Sequence, residues 1–149
     1  MDVAGFIFGR HPLPVLTAAP ANAKWVKVRS RESAPAVHAE LAARDGVLKA
    51  RRAKMPYRAG QHYIVTYAPG DQSVVRKDLF ERTYTSCGDA RYIKNPKLIF
   101  RYFVLARDAV IVTLEGNERA DAGDWIVEGV AGELHPVSPA RGAQLYAPV

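Results

Sequence analysis

The chain has little cysteine and no long apolar run, and these two features limit the class of protein to which it can belong. Cys87 is the single cysteine among 149 residues, so no intramolecular disulfide can form and a reducing compartment is expected. No apolar run approaches the roughly 18 to 20 residues that a membrane-spanning helix needs. The apolar residues 5–8 are followed at once by Gly9 and Arg10, which makes them too short for a secretory leader. The sequence therefore predicts a soluble, cytoplasmic protein.

Familiar catalytic and cofactor motifs are also missing. The chain contains no G-x-S-x-G sequence, no P-loop and no dinucleotide-binding glycine pattern. Its histidines, at positions 11, 38, 62 and 135, lack the spacing of a metal site, and His62 and His135 are interpreted as structural residues. Because no nucleophile, base and orienting group form a coherent set, an enzyme of unknown reaction is only the third hypothesis. No cofactor and no metal are predicted.

Residues 62–76 are typical of a β-hairpin. Residues 62–67 (HYIVTY) are rich in β-branched and aromatic side chains, and residues 72–76 (QSVVR) form a second run of apolar and polar side chains. Pro69 presets the backbone at the first central turn position, and Gly70 accepts a positive φ at the second. This combination is typical of a type II turn, so two strands joined by a tight turn are predicted.

A short helix is predicted directly after the hairpin. Asp78 and Glu81 stand three positions apart, so the Asp78 carboxylate can accept the free amides of a first helical turn while Glu81 reaches back. Such a turn would place Phe80 and Tyr84 against the hairpin.

A weaker copy of residues 59–84 returns at residues 122–146. Trp125 stands where the first copy has Tyr63, and the register then continues without a gap to the end of both copies. Internal self-similarity of this kind is the signature of a duplicated structural unit.

Two details distinguish the second copy. Gly142 replaces Phe80, so the final helical turn cannot hold its hairpin in the same way. Pro136 removes a backbone amide from the second strand of the hairpin, which favours an edge position in the sheet.

Residues 33–44 carry two conflicting signals. The stretch is rich in alanine, with Ser33 as a candidate helix cap and Gly46 as a candidate stop. In the repeat, however, residues 37–41 align with residues 100–104 (FRYFV), which are aromatic and typical of a strand. Because duplicated copies should share a backbone, a strand is predicted for both.

Each copy offers about four short strands and a closing helical turn. The predicted fold is mainly β (β-rich α+β), a tandem repeat whose units are either small SH3-like barrels or bent antiparallel sheets. Residues 1–23 are predicted to form an N-terminal arm, residues 24–87 the first repeat and residues 88–149 the second. The sequence is compatible both with two separate lobes and with one compact domain.

The first copy carries YIVTY at residues 63–67, PGD at 69–71, VVRKD at 74–78 and F-E-x-T-Y at 80–84. This succession resembles a family of small bacterial proteins known for a PGDYG motif. Gln72 and Ser73 stand in place of the tyrosine and glycine of that motif.

The second copy carries GDWIV at residues 123–127, GE at 132–133, a proline at 136 and YAPV at 146–149. In these features it is similar to small phage and prophage proteins. The two resemblances imply a bacterial or phage origin and the repeated architecture, and they imply no particular activity.

Positive charge is concentrated in the first half of the chain. The formal net charge is +6, and residues 1–87 hold 14 Lys and Arg against 7 Asp and Glu, while residues 88–149 hold 7 against 8. A polyanion would therefore meet the first half. The candidate nucleic-acid-binding residues are Lys49, Arg51, Arg52 and Lys54, whose basic side chains could follow a phosphate backbone. The nearby Tyr57, Tyr63 and Tyr67 could stack on bases.

The favoured hypothesis is a non-catalytic module that binds a protein partner. Aromatic side chains of the two units could form an apolar, partly exposed surface for that partner. The candidate partner-binding residues are Tyr63, Tyr67, Tyr84, Trp125 and Glu133. Nucleic-acid binding by the basic first repeat is the alternative.

Overall fold

The computed structural model describes residues 12–50 and 53–149. With 50% of the chain in strands and 10% in helices, the predicted mainly β fold is confirmed. Arg51 and Arg52 of the basic cluster, and residues 1–11 of the predicted arm, lie outside the described residues. Neither helix in the described part of the chain has the length and apolar character that crossing a membrane requires.

The elements fall into two series. In the first half they are β1 (Val15–Leu16), β2 (Val26–Ser30), β3 (Val37–Leu41), β4 (Gly46–Lys49), β5 (Lys54–Tyr57), β6 (His62–Ala68), β7 (Asp71–Arg76), α1 (Lys77–Thr83) and β8 (Tyr84–Gly88). In the second half they are β9 (Arg91–Lys94), β10 (Phe100–Val104), β11 (Ala109–Thr113), β12 (Gly116–Ala120), β13 (Trp125–Glu128), β14 (Leu134–Val137), α2 (Pro139–Leu145) and β15 (Tyr146–Pro148). The order β2 to β8 repeats as β9 to β15, so the predicted duplication is confirmed, as is the strand predicted at residues 37–41.

The local predictions hold for the hairpin and fail for the helix cap. Strands β6 and β7 pair around the turn, where Gly70 has a φ of 76°. Helix α1 begins without a side-chain cap on its first residue. The Asp78 carboxylate binds the Arg76 guanidinium at 2.6 and 2.9 Å, and backbone hydrogen bonds from Asp78 and Leu79 also lower the pKa of this carboxylate.

Two five-stranded sheets contain most of the strands. Each sheet includes one strand from the other half of the chain. The first sheet has the order β7-β6-β3-β9-β8, and the second has the order β14-β13-β10-β2-β15. Strand β9 of the second repeat thus lies between β3 and β8, and β2 of the first repeat lies between β10 and β15. The equivalent strands of the two repeats have changed places.

This exchange decides between the two predicted architectures. None of the sheets formed by the described residues closes into a barrel, so the SH3-like barrel is not formed and the units are open sheets. Because the first strand of each repeat pairs in the sheet of the other repeat, neither repeat can form a closed barrel by itself. Each five-stranded sheet also contains strands from both sides of the predicted boundary between residues 87 and 88. The division into repeats remains a prediction.

A tight turn holds β9 in the first sheet. Strands β8 and β9 form an antiparallel hairpin, and the backbone between them adopts positive φ at Gly88, Asp89 and Ala90. A hairpin with so short a connection keeps its strands adjacent. The junction of the two repeats is therefore a hairpin, and not a linker between lobes.

On the faces of the two sheets that carry the closing helices, aromatic side chains pack against those helices. In the first sheet, Phe80 of α1 is buried and stacks on Tyr63 with ring centroids 4.2 Å apart. In the second sheet, Gly142 of α2 lies directly under the ring of Trp125. In the first copy the large residue that fills this contact is Phe80 on the helix, and in the second it is Trp125 on the strand. Both helices therefore pack on their hairpins. Strand β14, with Pro136, is an edge strand as predicted.

Candidate functional site

The two sheets face each other across a cleft of about 810 Å³, and three of the predicted partner-binding residues line it. These are Tyr67, Tyr84 and Glu133. The other two are held in ring stacks away from the cleft lining. Tyr63 stacks on Phe80, and Trp125 is parallel to the ring of Tyr102 with a centroid distance of 3.8 Å.

Lys94 joins the two sheets inside the cleft. It pairs with Tyr84 in the ladder between β8 and β9, so both side chains lie on the same face of the first sheet. Its ammonium group donates a hydrogen bond to the hydroxyl of Tyr146 in the second sheet. The nitrogen is also 5.2 Å from the ring centroid of Phe100 and 4.7 Å from that of Tyr146. Attraction between a cation and ring faces holds the ammonium there.

Arg141 makes a second bridge between the sheets. It lies on α2, and its guanidinium forms an ion pair with Asp71 at the start of β7. The same guanidinium lies over the ring of Tyr67, 4.1 Å from the centroid. The charge of Arg141 is therefore already matched by a carboxylate, whereas Lys94 forms no ion pair with any carboxylate of the described residues.

His135 faces both cations from strand β14. Its register partner is Val127, a buried residue of the inner face, so the imidazole also lies on that face. Burial, together with the positive charges of Lys94 and Arg141, lowers the pKa of His135 to about 3. The ring is neutral near pH 7 and makes no hydrogen bond to another described residue.

Burial raises the pKa values of two cleft tyrosines, Tyr67 and Tyr84. Burial raises the pKa of Tyr84 well above its usual value, and neighbouring phenols add to the effect. Burial also raises the pKa of Tyr67, whose hydroxyl lies 2.8 Å from that of Ser73. The cleft therefore offers hydroxyl groups set in apolar ring surfaces, a combination typical of ligand sites.

Two carboxylates lie at one end of the cleft. Burial, with a smaller contribution from the negative charge of Glu133, raises the pKa of Glu115 to about 7. The backbone amide and the charge of Arg76 oppose that shift. The Glu133 carboxylate accepts a hydrogen bond from the amide of Ala131 at 2.9 Å, so it also supports its own turn.

Replacing Glu115 by Gln is expected to stabilise the protein at alkaline pH and not at acid pH. A carboxyl group whose pKa is raised in the folded state destabilises the fold once it ionises, so the penalty is absent below pH 4.5 and complete above pH 7. We expect the variant to be more stable by about 1 to 2 kcal/mol at pH 8.5, since solvent screens part of the effect. Urea unfolding at pH 4.5 and 8.5 measures this, with Glu32→Gln, an exposed carboxylate, as control. An equal gain at both pH values would contradict the assignment.

The two described residues of the basic cluster, Lys49 and Lys54, are not part of the cleft lining. Lys49 and Lys54 are register partners in the hairpin of β4 and β5, and both are exposed. Tyr57 belongs to the same hairpin, whereas Tyr63 and Tyr67 pack in the core of the inner face. The structure therefore brings one of the three predicted stacking tyrosines near this hairpin.

A smaller cleft of about 430 Å³ separates that hairpin from the outer face of the first sheet. Polar side chains line it: His38 pairs with Glu40 at 2.9 Å, and Gln72 donates to Thr66 at 2.8 Å. In the second repeat the equivalent face is filled instead by a buried apolar cluster that includes Phe103, Ile111 and Ile126. The two repeats therefore differ in whether this face is open or filled.

Sequence reasoning missed Lys94, Arg141, Tyr146 and the role of His135 in the cleft. The alignment of the repeats pairs Tyr84 with Tyr146, which was a signal that both tyrosines occupy one kind of position. The β8–β9 hairpin places Lys94 beside Tyr84, and the packing of the two sheets places it beside Tyr146. Neither contact was identified from the sequence.

Comparison with known proteins gives no family model that matches the chain, and no matching curated protein or solved structure.

Proposed function

We propose that this protein is a non-catalytic binding module that holds a segment of a protein partner in the cleft between its two sheets. The observation that carries the proposal is the meeting of Tyr67, Tyr84 and Glu133 in one cleft, although they lie far apart in the sequence. The lone cysteine and the motif resemblances favour a cytoplasmic protein of bacterial or phage origin.

The dimensions and lining of the cleft support this function. A volume of about 810 Å³ lies within the range of sites that enclose a small ligand or a few side chains of a peptide. Its walls include the partly exposed rings of Tyr67, Tyr84 and Tyr92, with charged and polar side chains set among them. Rigid aromatic surfaces with placed polar groups are typical of the centres of protein interfaces.

Nucleic-acid binding through the β4–β5 hairpin is the second candidate. Lys49 and Lys54 lie directly opposite each other and form no ion pair with a described carboxylate, so their charges are available to phosphate groups. The polar cleft beside the hairpin adds hydrogen-bonding groups that a base could use.

One experiment tests both candidates, because each variant serves as the control for the other. A randomised peptide library displayed on phage is selected against the wild type, and selected peptides and labelled single- and double-stranded oligonucleotides are titrated by fluorescence anisotropy. Tyr67→Ala opens the cleft, and Lys49→Ala with Lys54→Ala neutralises the hairpin. Circular dichroism establishes that both variants keep the native fold.

If the cleft binds a partner, peptides bind the wild type and the lysine variant alike and bind Tyr67→Ala at least about 10-fold more weakly. Failure to select any peptide that depends on Tyr67 would refute the first candidate. Oligonucleotide binding that weakens with salt and is lost only in the lysine variant would support the second.

A further inference from the structure

The ammonium group of Lys94 has hydrogen-bonding capacity that the protein does not use. A lysine ammonium carries three N–H donors and no acceptor. Among the described residues its single hydrogen-bond partner is the hydroxyl of Tyr146, and the remaining neighbours are the ring faces of Tyr84, Phe100 and Tyr146. Ring faces attract the charge but accept little from directed N–H groups. Two donors of Lys94 therefore remain for a ligand in the cleft.

The position of this ammonium makes an anionic ligand group favourable. Lys94 is half-buried in the cleft lining and has no carboxylate partner among the described residues, although buried charges are normally paired. A bound anion would supply the missing partner. The neutral ring of His135, which has no hydrogen-bond partner among the described residues, faces the same ammonium and can donate one N–H to the anion.

The surroundings favour a single negative charge over a double one. Arg141 is occupied by Asp71, and the exposed Arg31 donates to the backbone carbonyl of Ala143 at 2.8 Å. Lys94 is therefore the half-buried cation of the lining that has no carboxylate partner among the described residues. Carboxylates outnumber cations in the lining and would repel a phosphate dianion more strongly than a single negative charge paired with Lys94: they are Glu32, Asp71, Glu115, Glu118, Asp124 and Glu133. A carboxylate carries one charge and two oxygens, which match one ammonium and one imidazole N–H.

We propose that the cleft holds a carboxylate site in which Lys94 and His135 bind the two oxygens while the partly exposed ring of Tyr84 contacts the apolar body of the ligand. This inference rests on the proposed function, since it names the chemical group of the partner that enters the cleft. In a protein partner, either a C-terminal carboxylate or the side chain of Asp or Glu can supply that group.

The test uses the full-length protein and small probes of known charge, followed by NMR titration of the amide and tyrosine ring signals. The probes are benzoate, its neutral isostere benzamide, inorganic phosphate, N-acetyl-phenylalanine, N-acetyl-phenylalanine amide and N-acetyl-aspartic acid amide. The last three separate a terminal carboxylate, no carboxylate and a side-chain carboxylate. Lys94→Met removes the charge while keeping the length of the side chain, and Lys97→Met, an exposed lysine three residues away, is the matched control.

We expect benzoate, and one of the two blocked amino acids that carry a carboxylate, to shift the signals of Tyr84 and Tyr146. Binding should weaken about 10- to 100-fold in Lys94→Met and remain unchanged in Lys97→Met, which corresponds to the loss of a charge-assisted hydrogen bond. Equal binding of benzoate and benzamide, or tighter binding of phosphate than of benzoate, would overturn the carboxylate site. So would unchanged affinity in Lys94→Met.

Failure of this inference and failure of the proposed function give different results. If peptides still bind in a manner that depends on Tyr67 but Lys94→Met has no effect, the cleft binds its partner without a carboxylate. If benzoate binds through Lys94 and no peptide depends on Tyr67, the carboxylate site stands and its ligand is a small molecule.

Discussion

Replacing Gly142 by Phe is expected to lower the free energy of unfolding by at least about 3 kcal/mol, since it forces a ring into space already filled. A Cβ atom at Gly142 would lie 2.6 Å from Cδ2 of Trp125 and closer still to Cε3. No rotamer relieves an overlap that begins at the first side-chain atom. Trp125 can move only if its stack with Tyr102 is broken.

The first repeat shows how this overlap can be relieved. Its equivalent positions hold Phe80 and Tyr63, which stack with centroids 4.2 Å apart and an interplanar angle of 21°. Trp125→Tyr combined with Gly142→Phe recreates that pair in the second repeat. We therefore expect the double variant to regain about 1 to 2 kcal/mol relative to the sum of the single changes.

Urea unfolding of the wild type, both single variants and the double variant gives the coupling free energy. Gln144→Phe places the same ring on an exposed position of α2 and controls for the intrinsic cost of phenylalanine in that helix. Additive effects of the two substitutions would show that Gly142 and Trp125 are not coupled, against the close packing described above.

Separating the repeats should abolish folding of each half as a monomer. A fragment of residues 1–88 retains β3 and β8 but lacks β9, the strand that lies between them and pairs with both. A fragment of residues 89–149 lacks β2, which lies between β10 and β15. Each sheet would lose its interior ladder and leave unpaired backbone groups exposed, so neither fragment should unfold cooperatively as a monomer.

Mixing the fragments should restore the native circular dichroism spectrum and a cooperative thermal transition, because each supplies the strand that the other lacks. Size-exclusion chromatography and NMR spectra of the separate and mixed fragments measure this. A fragment could also exchange the equivalent strand with a second copy of itself, which would give a dimer. A folded, monomeric fragment would contradict the importance of the exchanged strands.

Local features were the most predictable from sequence. The β6–β7 hairpin follows from alternating β-branched residues around Pro69 and Gly70, and the edge position of β14 follows from Pro136. Both depend on backbone conformations and hydrogen-bonding groups within a few residues. The repeat also corrected the helical signal of residues 33–44, since the aromatic β10 revealed the backbone that β3 shares.

The candidate cleft was predicted only in part. Tyr67 and Tyr84 were identified because large aromatic residues with polar tips are common at binding surfaces. Tyr63 and Trp125 have the same character, yet their rings are used in stacks with Phe80 and Tyr102. A residue type does not reveal whether its ring faces a neighbour or an open cleft.

By itself, the sequence determined a duplicated, mainly β chain with one tight hairpin and one closing helix in each copy, because these features follow from local backbone preferences and apolar patterning. Only the tertiary structure decided that β2 and β9 change places, and thereby brought Lys94 against Tyr84 and Tyr146. The physical reason is that strand propensity sets which residues form β2 and β9 but not which sheet each strand joins. Local propensity does not distinguish between the two possible arrangements of β2 and β9. The short β8–β9 turn and the packing between the sheets determine which arrangement forms.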